Sequence, residues 1–337
     1  MKRLVTGSNG FLGVALVERL LARKTPGLRL LVRPGSETKR LDAVLAKYPG
    51  ADVEIVRGGL GSVDDAAKLL DGVGLVYHLA AALSGQPADM FLGTVVTSKN
   101  LLEAMVRLGT RPKTILISSF GVYGVADLPR GHVVDEQTPL ERHPERRDHY
   151  SHAKLKQELL FRDYHERHGI PLTILRPGVI YGPGGGAMSA RVGLMLPGIF
   201  IYLGGKNLLP LSYVDNCAEA IAIAGEKARF DGDVYNVHDD ELVTAADYLA
   251  RYQREVARLR VVKLPYPLAV ATSAAVAWYH RASKGQLPAI LTPYKTRTSW
   301  KGNRFSNAKL HAMGFSPIVS TEEGLARTFA YLRAAHP

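Results

Sequence analysis

Residues 1–23 read MKRLVTGSNGFLGVALVERLLAR. The apolar run Lys2–Val5 is followed by a turn with Gly7, Gly10 and Gly13, and then by apolar residues at helical spacing. Glycines at these positions allow a tight turn, a close approach to the backbone, and close packing of a helix on a strand. The stretch therefore predicts a strand, a glycine turn and a helix, which is how a βαβ unit begins.

The same alternation of apolar runs and helical patterns continues along the chain. Further strands are predicted at Arg29–Val32, Val53–Val56, Leu75–Leu79, Thr114–Ser118 and Leu172–Leu175, and helices at Leu12–Arg23, Val63–Leu70, Lys99–Leu108 and Tyr150–His168. Beyond Pro177 glycine and proline become dense and no regular alternation is legible. We predict an α/β fold, a Rossmann doubly wound parallel sheet with a smaller C-terminal substrate-binding lobe.

The glycine turn also predicts a ligand. The N-terminus of the first helix offers free N–H groups and the positive end of a dipole to a pyrophosphate. A dinucleotide cofactor would contact the turn through Gly7, Asn9, Gly10, Phe11, Leu12 and Gly13. We therefore predict a nucleotide-binding domain over 1–176, with the chain crossing back around 207–240, and a lobe mainly over 177–337 that binds substrate.

The end of the second predicted strand bears on the choice of coenzyme. An NAD site usually has Asp or Glu there, to bind the ribose hydroxyls, whereas this sequence has Arg33. Because an arginine can pair with a 2′-phosphate, NADP(H) is favoured over NAD(H).

Tyr150, Lys154 and Ser119 are the candidate chemical groups. Tyr150 and Lys154 are four residues apart on a predicted helix, so their side chains share a face. An ammonium beside a tyrosine stabilises its phenolate, so Lys154 is expected to lower the pKa of Tyr150. Ser119 follows a predicted strand and could hydrogen-bond a substrate oxygen. This set predicts hydride transfer between a carbonyl and an alcohol.

In its motifs the chain resembles the extended short-chain dehydrogenase/reductase superfamily over nearly its whole length. The motifs are TGSNGFLG at 6–13, YHLAA at 77–81, ISSFGVYG at 117–124, YSHAK at 150–154, RPGVIYGPG at 176–184, SYVDNCAEAI at 212–221 and the segment from Phe305 to Leu332. The resemblance implies that Tyr150 is the catalytic tyrosine, that Lys154 also holds the nicotinamide ribose, and that Ser119 is the catalytic serine.

The resemblance also implies further cofactor contacts. They are Ser118 near the nicotinamide, Leu79, Ala80 and Ala81 along the cofactor, and Pro177, Gly178, Val179 and Ile180 near the carboxamide. Two positions depart from the family pattern. Gly59 stands where the family has an Asp, and Thr94 where it has an Asn, so the adenine pocket and the packing of the helix after Thr94 are expected to differ from those of its relatives.

Three alternatives remain for the function. Val179 stands where nucleotide-sugar enzymes of the superfamily usually carry Asn, and RPGVIYGPG and LVRPGS look more like the 3β-hydroxysteroid dehydrogenase and dihydroflavonol reductase branch. An apolar alcohol or ketone is the leading hypothesis. A nucleotide-sugar epimerase, dehydratase or reductase is the alternative, with Arg191, Lys206 and Arg297 as phosphate partners. The third is a non-catalytic NADP(H)-binding regulator, against which the intact Ser119, Tyr150 and Lys154 argue.

Composition excludes some other classes. The 337 residues are 46% hydrophobic and carry a net charge of +12, with Lys and Arg along the whole length. We find no basic run with interleaved aromatics, so nucleic acid is not a predicted partner, and no metal site is predicted. Cys217 is the only cysteine, and the opening residues lack the apolar core and cleavage site of a secretory signal, so a cytoplasmic location is expected.

One apolar stretch, residues 264–279, is too short to span a bilayer, which takes about 20 apolar residues. A helix that is buried or covers the lobe is one interpretation. A peripheral membrane contact through 264–284 is the other, because Trp278, Tyr279, His280, Arg281 and Lys284 end the stretch. The family resemblance further implies a homodimer that uses the helix of Tyr150.

Overall fold

The computed structural model describes residues 1–186, 188–189, 191–283, 292–299 and 301–335. The strands are β1 Lys2–Thr6, β2 Leu28–Val32, β3 Val53–Arg57, β4 Val73–His78, β5 Lys113–Ile117, β6 Val133–Val134, β7 Leu172–Pro177, β8 Val179–Tyr181, β9 Gly193–Leu196, β10 Ile199–Tyr202, β11 Leu211–Tyr213, β12 Asp231–Val237, β13 Val261–Lys263 and β14 Arg304–Phe305. The helices are α1 Phe11–Ala22, α2 Lys39–Leu45, α3 Val63–Leu69, α4 Pro87–Phe91, α5 Thr97–Arg107, α6 His149–His168, α7 Val214–Lys227, α8 Ala245–Glu255, α9 Tyr266–Ala282, α10 Pro293–Ser299, α11 Ala308–Ala312 and α12 Thr321–Ala335. A π-helical turn, Leu92–Val96, joins α4 to α5.

The central sheet has seven strands in the order β12-β7-β5-β4-β1-β2-β3, and every neighbouring pair is parallel. The chain first moves outward from β1 to β2 and β3, and then returns to the other side of β1 with β4. Ligands of such sheets bind at this reversal point, outside the carboxyl ends of the strands. The predicted doubly wound fold is confirmed.

Helices cover both faces of the sheet. Successive strand residues face opposite sides, so Leu4 and Val5 of β1 belong to different cores. The core around Val5 is closed by α1, α2 and α7, and the core around Leu4 by α3, α5 and α6. Asp148 caps the N-terminus of α6 by accepting a hydrogen bond from the Ser151 N–H at 3.0 Å. This cap sets where the helix that carries Tyr150 begins.

Within 207–240, where we expect the chain to cross back to the nucleotide-binding domain, the structure shows a helix and a strand that the sequence pattern did not delimit. Beyond Pro177, where no regular alternation is legible, α7 packs beside α1, and β12 becomes an edge strand of the central sheet. Two buried polar residues of α7, Asn216 and Glu219, interrupt its apolar pattern. Glu219 forms ion pairs with Arg19 of α1 and with Arg23, the residue after α1, so its partners lie about 200 positions away.

A third core lies in the C-terminal part of the chain. It contains Phe200, Tyr248 and Phe329, between the three-stranded sheet β9-β10-β13 and the helices α8 and α12. The apolar stretch 264–279 forms most of α9, which buries Ala269 and Ser273 and packs against α10. No helix within the described ranges is long and apolar enough to cross a bilayer.

Candidate active site

The predicted site residues gather at one edge of the central sheet. Gly7 follows β1, Leu79 follows β4, Ser118 follows β5 and Gly178 follows β7. Because these strands are parallel neighbours, the residues after them lie side by side at the carboxyl edge. The sheet therefore brings the glycine turn and the candidate chemical groups to the same crevice.

In the glycine turn the backbone passes very close to other backbone atoms, which leaves no room for side chains. Gly7 has a φ of +71°, which favours glycine, and a Cβ added at Gly13 would lie 2.0 Å from the Gly7 carbonyl oxygen. The N-terminus of α1, at Gly10, has no side-chain cap and no acidic residue in its first turn. The first amides of the helix and its positive dipole end can therefore bind an anion, as a dinucleotide pyrophosphate requires.

The loop after β2 closes one side of this turn. The Asn9 side-chain amide donates to the Glu37 carbonyl oxygen at 3.1 Å. The guanidinium of Arg40 lies 5.6 Å from the centre of the Phe11 ring, and Arg33 is exposed directly after β2. Sequence reasoning singled out Arg33 and missed Arg40, because only the fold brings α2 back to Phe11. Both cations follow β2 along the chain.

The end of β4 forms the other wall of the turn. The Ala80 N–H donates to the Thr6 hydroxyl at 3.2 Å, and a Cβ added at Gly7 would lie 3.1 Å from the Ala80 nitrogen. Leu79, Ala80 and Ala81 are all half-buried there. Thr94, which stands in place of the usual Asn, is buried, and its hydroxyl accepts a hydrogen bond from the Ala82 N–H at 3.0 Å.

The Ser119 hydroxyl lies close enough to the Tyr150 phenol to influence its pKa. Burial raises the pKa of Tyr150, the Ser119 hydroxyl acts in the opposite direction, and the carboxylate of Asp148 adds to the increase. Lys154 is not among the groups that shift this pKa, so the expectation that Lys154 lowers it stays a prediction. The phenol is protonated at neutral pH, as an ordinary tyrosine is.

Lys154 is fully buried, and its ammonium has two oxygen partners. Its Nζ donates to the Ile117 carbonyl oxygen and to Gln157 Oε1, each at 2.5 Å. Burial lowers the pKa of Lys154 to about 7, while the carboxylate of Glu158 opposes this shift. Gln157 in turn donates to the Ser98 hydroxyl at 2.8 Å. Sequence reasoning missed Gln157, although its place three residues after Lys154, one helical turn on, was a usable signal.

The two consecutive serines after β5 have different partners. The Ser118 hydroxyl donates to Glu158 Oε2 at 2.6 Å, and Glu158 forms a buried ion pair with Arg176 at 2.5 Å. The guanidinium of Arg176 also lies 4.6 Å from the centre of the Tyr123 ring. Ser118 is thus tied to a buried structural cluster, whereas Ser119 faces Tyr150.

The chain after β7 leaves the sheet edge in a tight turn. A Cβ added at Gly178 would lie 2.0 Å from the Pro210 carbonyl oxygen, to which the Val179 N–H donates at 2.6 Å. Gly178, Val179 and Ile180 are half-buried, and Pro177 is buried. The three cations considered as alternative phosphate partners, Arg191, Lys206 and Arg297, are all exposed.

Comparisons with known proteins agree with this geometry. Over residues 3–237 the chain matches the sequence model of the NAD dependent epimerase/dehydratase family. It is 27% identical to a 3beta-hydroxysteroid-dehydrogenase/decarboxylase (isoform 1) of Arabidopsis thaliana, over 98% of this chain and 80% of that protein. It is 26% identical to an N-acetyl-alpha-D-glucosaminyl-diphospho-ditrans,octacis-undecaprenol 4-epimerase of Escherichia coli O157:H7, over 97% of this chain and 94% of that protein.

A solved structure shows the same fold. The UDP-glucuronic acid 4-epimerase of Bacillus cereus, in complex with NAD, superposes with a TM-score of 0.73 at 23% identity, over all of both chains. The family match covers well over half of the chain and includes the glycine turn, Ser119, Tyr150 and Lys154. The chain therefore belongs to the NAD dependent epimerase/dehydratase family, the extended short-chain dehydrogenases/reductases, whose members are oxidoreductase-type enzymes.

Proposed function

We propose that this protein is an NAD(P)-dependent oxidoreductase that interconverts a secondary alcohol and a ketone on an apolar, 3β-hydroxysteroid-like substrate. One observation carries the proposal. The neighbouring hydroxyls of Ser119 and Tyr150 and the buried Lys154 lie at the same sheet edge as the glycine turn. This combination supplies an acid, an oxygen-binding hydroxyl and a cation beside a dinucleotide site.

In the reducing direction Tyr150 gives its proton to the carbonyl oxygen of the substrate. The phenol carries the proton before the reaction, and burial, which raises its pKa, has to be offset by positive charge when the phenolate forms. The Ser119 hydroxyl hydrogen-bonds the same oxygen and orients the carbonyl group. A bound nicotinamide supplies or accepts the hydride. Lys154, held by Ile117 and Gln157, provides positive charge behind the tyrosine and a donor for a ribose hydroxyl.

The substrate class rests on two observations. Val179 replaces an Asn that nucleotide-sugar enzymes usually carry, so a polar contact for such a substrate is missing. The similarity to a plant 3beta-hydroxysteroid-dehydrogenase/decarboxylase extends over nearly the whole chain. Both favour a substrate whose reacting carbon belongs to an apolar ring system.

A substrate panel tests this proposal. The purified protein is mixed with NADP⁺ or NAD⁺ and a 3β-hydroxysteroid, a flavonoid alcohol or a UDP-sugar, and absorbance of the reduced nicotinamide is followed. We expect turnover with the steroid and none with the UDP-sugar. Turnover with the UDP-sugar alone would overturn the substrate class.

A nucleotide-sugar epimerase is the second candidate. It is favoured by the similarity to the Escherichia coli 4-epimerase, which extends over nearly the whole length of both proteins. Epimerisation is redox-neutral and gives no net absorbance change, so the UDP-sugar reactions also need chromatographic product analysis. An epimer formed without net reduction of cofactor would establish this candidate instead. Tight cofactor binding with no turnover of any substrate would favour the non-catalytic regulator.

The proposed preference for NADP(H) rests on Arg33, with Arg40 as a second cation close by. Arg33→Ala should weaken NADPH binding by roughly tenfold or more, the usual value of a hydrogen bond to a charged group, and leave NADH binding nearly unchanged. Fluorescence titration of the reduced coenzymes measures both constants. Lys39→Ala, which removes an exposed cation that is paired with Glu37, is the matched control. Equal effects on both coenzymes would refute the preference.

A further inference from the structure

The positive charge of this chain is unevenly distributed. Between Glu255 and Glu322 the sequence contains no Asp or Glu. The same segment contains ten Lys and Arg residues: Arg258, Arg260, Lys263, Arg281, Lys284, Lys295, Arg297, Lys301, Arg304 and Lys309. Most of the net charge of +12 therefore comes from this acid-free segment, which contains α9.

Helix α9 presents an apolar face to solvent at the centre of this segment. Leu268, Trp278 and Tyr279 are 52%, 65% and 52% exposed. Alanines at 271, 274, 275 and 282 are exposed as well, on the same side of the helix as Trp278. The opposite side is anchored, because Ala269 and Ser273 are fully buried.

Exposed cations precede this face. Arg258, Arg260 and Lys263 lie just before α9 and are all exposed. Within the described part of the chain none of the three has an ion pair, so their charge is available to an anionic partner. Met195 and Val262, on the sheet that leads into α9, are exposed apolar residues of the same region. Lys284 lies outside the described residues.

We propose that α9 lies on the surface of an anionic lipid bilayer, with Leu268, Trp278 and Tyr279 in the interface and the preceding cations among the headgroups. An apolar helix face with aromatic side chains and basic flanks is what such a surface binds. A second copy of the chain would bring two acid-free basic segments together, which is unfavourable. A nucleic acid would use the cations but leave the apolar face in water.

Docking in this way would bring the membrane close to the catalytic edge. Helix α9 packs against α10, whose Tyr294 hydroxyl accepts a hydrogen bond from Arg147 at 3.3 Å. Arg147 also donates to the Ser151 hydroxyl, next to Tyr150, at 3.2 Å. An apolar substrate dissolved in the bilayer would then be near the site. This consequence rests on the proposed function, whereas the docking itself does not require it.

Tryptophan fluorescence tests the docking directly. The chain has two tryptophans, so Trp300→Phe leaves Trp278 as the only reporter. We expect its emission to shift to shorter wavelength with vesicles of phosphatidylcholine and phosphatidylserine, and to stay unchanged with phosphatidylcholine alone. High salt should reverse the shift, because headgroup attraction is screened. Flotation of the unmodified protein with the same vesicles gives an independent measurement.

Variants separate the two contributions. Leu268→Gln/Trp278→Gln should abolish flotation, and Arg258→Gln/Arg260→Gln/Lys263→Gln should weaken it by roughly a hundredfold, about fivefold for each cation. Ile55→Gln/Ile318→Gln, which removes two apolar side chains that are 44% and 46% exposed elsewhere, is the matched control and should float normally. Thermal unfolding and NADH titration verify that each variant is folded.

Three results would overturn this proposal. They are absence of flotation by the unmodified protein, equal flotation with neutral vesicles, and flotation that survives the Leu268→Gln/Trp278→Gln change. If light scattering instead shows a dimer that this double variant dissociates, the face binds a second copy. If DNA competes with the vesicles while the apolar variant still binds DNA, the cations serve a nucleic acid. Each of these measurements is made without turnover, so failure of the proposed enzyme activity leaves the result readable.

Discussion

The hydroxyl of Tyr150 is expected to take part in the reaction but not in binding the cofactor. The Tyr150 phenol lies near the Ser119 hydroxyl, and burial raises its pKa. Tyr150→Phe keeps the ring and removes the proton donor, so kcat should fall by roughly a hundredfold to ten-thousandfold. The Kd for the reduced coenzyme should change by less than about twofold, because the expected cofactor contacts of the turn remain. Stopped assays and fluorescence titration measure the two quantities.

Tyr123→Phe is the control for this substitution. Tyr123 is also a buried tyrosine of this region, and its hydroxyl donates to Asn236 Oδ1 at 2.6 Å. Its removal should lower the free energy of unfolding by about 1 kcal/mol and leave kcat nearly unchanged. If Tyr150→Phe weakens cofactor binding as much as turnover, Tyr150 is not the acid of the reaction.

Gln157 is a hydrogen-bond partner of Lys154. Its Oε1 accepts a hydrogen bond from the buried ammonium, whose pKa is lowered to about 7. The charge of Lys154 is therefore lost as pH rises through 7. Gln157→Glu places a carboxylate at this position and should raise the pKa of Lys154 by roughly one to three units. The alkaline limb of the pH profile of kcat/KM should move to higher pH by a similar amount.

The neutral variant Gln157→Leu provides the contrast. It removes the oxygen partner without adding charge, so the same limb should move to lower pH or the activity should fall. A purely structural role of Gln157 would change stability in both variants and leave the limb where it is. That outcome, seen by urea unfolding together with the pH profile, would contradict the role in positioning Lys154.

At the scale of elements, the approach of α1 to β1 depends on one missing side chain. A Cβ at Gly13 would meet backbone atoms of the turn, the nearest at 2.0 Å, and these cannot swing away as a flexible side chain can. Gly13→Ala should therefore push α1 from β1 and reduce the free energy of unfolding by roughly 1–3 kcal/mol. It should also weaken cofactor binding, since the helix N-terminus moves with α1.

Gly61→Ala is the matched control for stability, because a Cβ there meets no atom within 4 Å. Its free energy of unfolding should change by less than about 0.5 kcal/mol. Urea unfolding of both variants and a coenzyme titration of Gly13→Ala make the comparison. A Gly13→Ala protein as stable as the original would show that the turn relaxes without cost.

Elements that are encoded by a local sequence pattern could be predicted, whereas contacts between residues far apart in the sequence could not. The glycine turn, β1 and α1 are encoded within residues 2–22, and the spacing of Tyr150 and Lys154 within one helical turn. Glu219 lies among alanines in α7, and the sequence around it gives no reason for a buried carboxylate there. The reason is visible only in the structure, where two arginines at the C-terminal end of α1 form ion pairs with it. Arg40 is likewise an ordinary surface cation in the sequence, since nothing local indicates that α2 lies against Phe11.

At the scale of the whole molecule, the distribution of charge could likewise be predicted only in part from the sequence. The absence of acids between Glu255 and Glu322 is visible in the sequence, but only the structure shows which side of α9 is exposed. A net charge counted over the whole chain averages this asymmetry away. The distribution of charge relative to burial is therefore what distinguishes a docking surface from an evenly basic protein.

Asn216 ties the central sheet to the C-terminal segment. Its Oδ1 accepts from the N–H groups of Ile318 and Val319 at 2.9 and 3.0 Å. Its Nδ2 donates to Asp239 Oδ1 at 3.0 Å and to the Val319 carbonyl oxygen at 2.8 Å. One buried amide thus joins the start of α7, the chain after β12 and the segment before α12.

Asn216→Ala removes all four hydrogen bonds and takes away the side-chain partner of the buried Val319 N–H and carbonyl groups, so the free energy of unfolding should fall by about 3 kcal/mol. Asn100→Ala is the control, because Asn100 is half-buried and donates one hydrogen bond, to the Leu60 carbonyl oxygen at 2.8 Å, and it should cost about 1 kcal/mol. Urea unfolding measures both. Hydrogen exchange should show faster exchange at Ile318 and Val319 in the Asn216 variant, because their N–H groups have lost the shared acceptor. Equal losses in the two variants would mean that the C-terminal segment is held by its apolar core around Phe329 rather than by this joint.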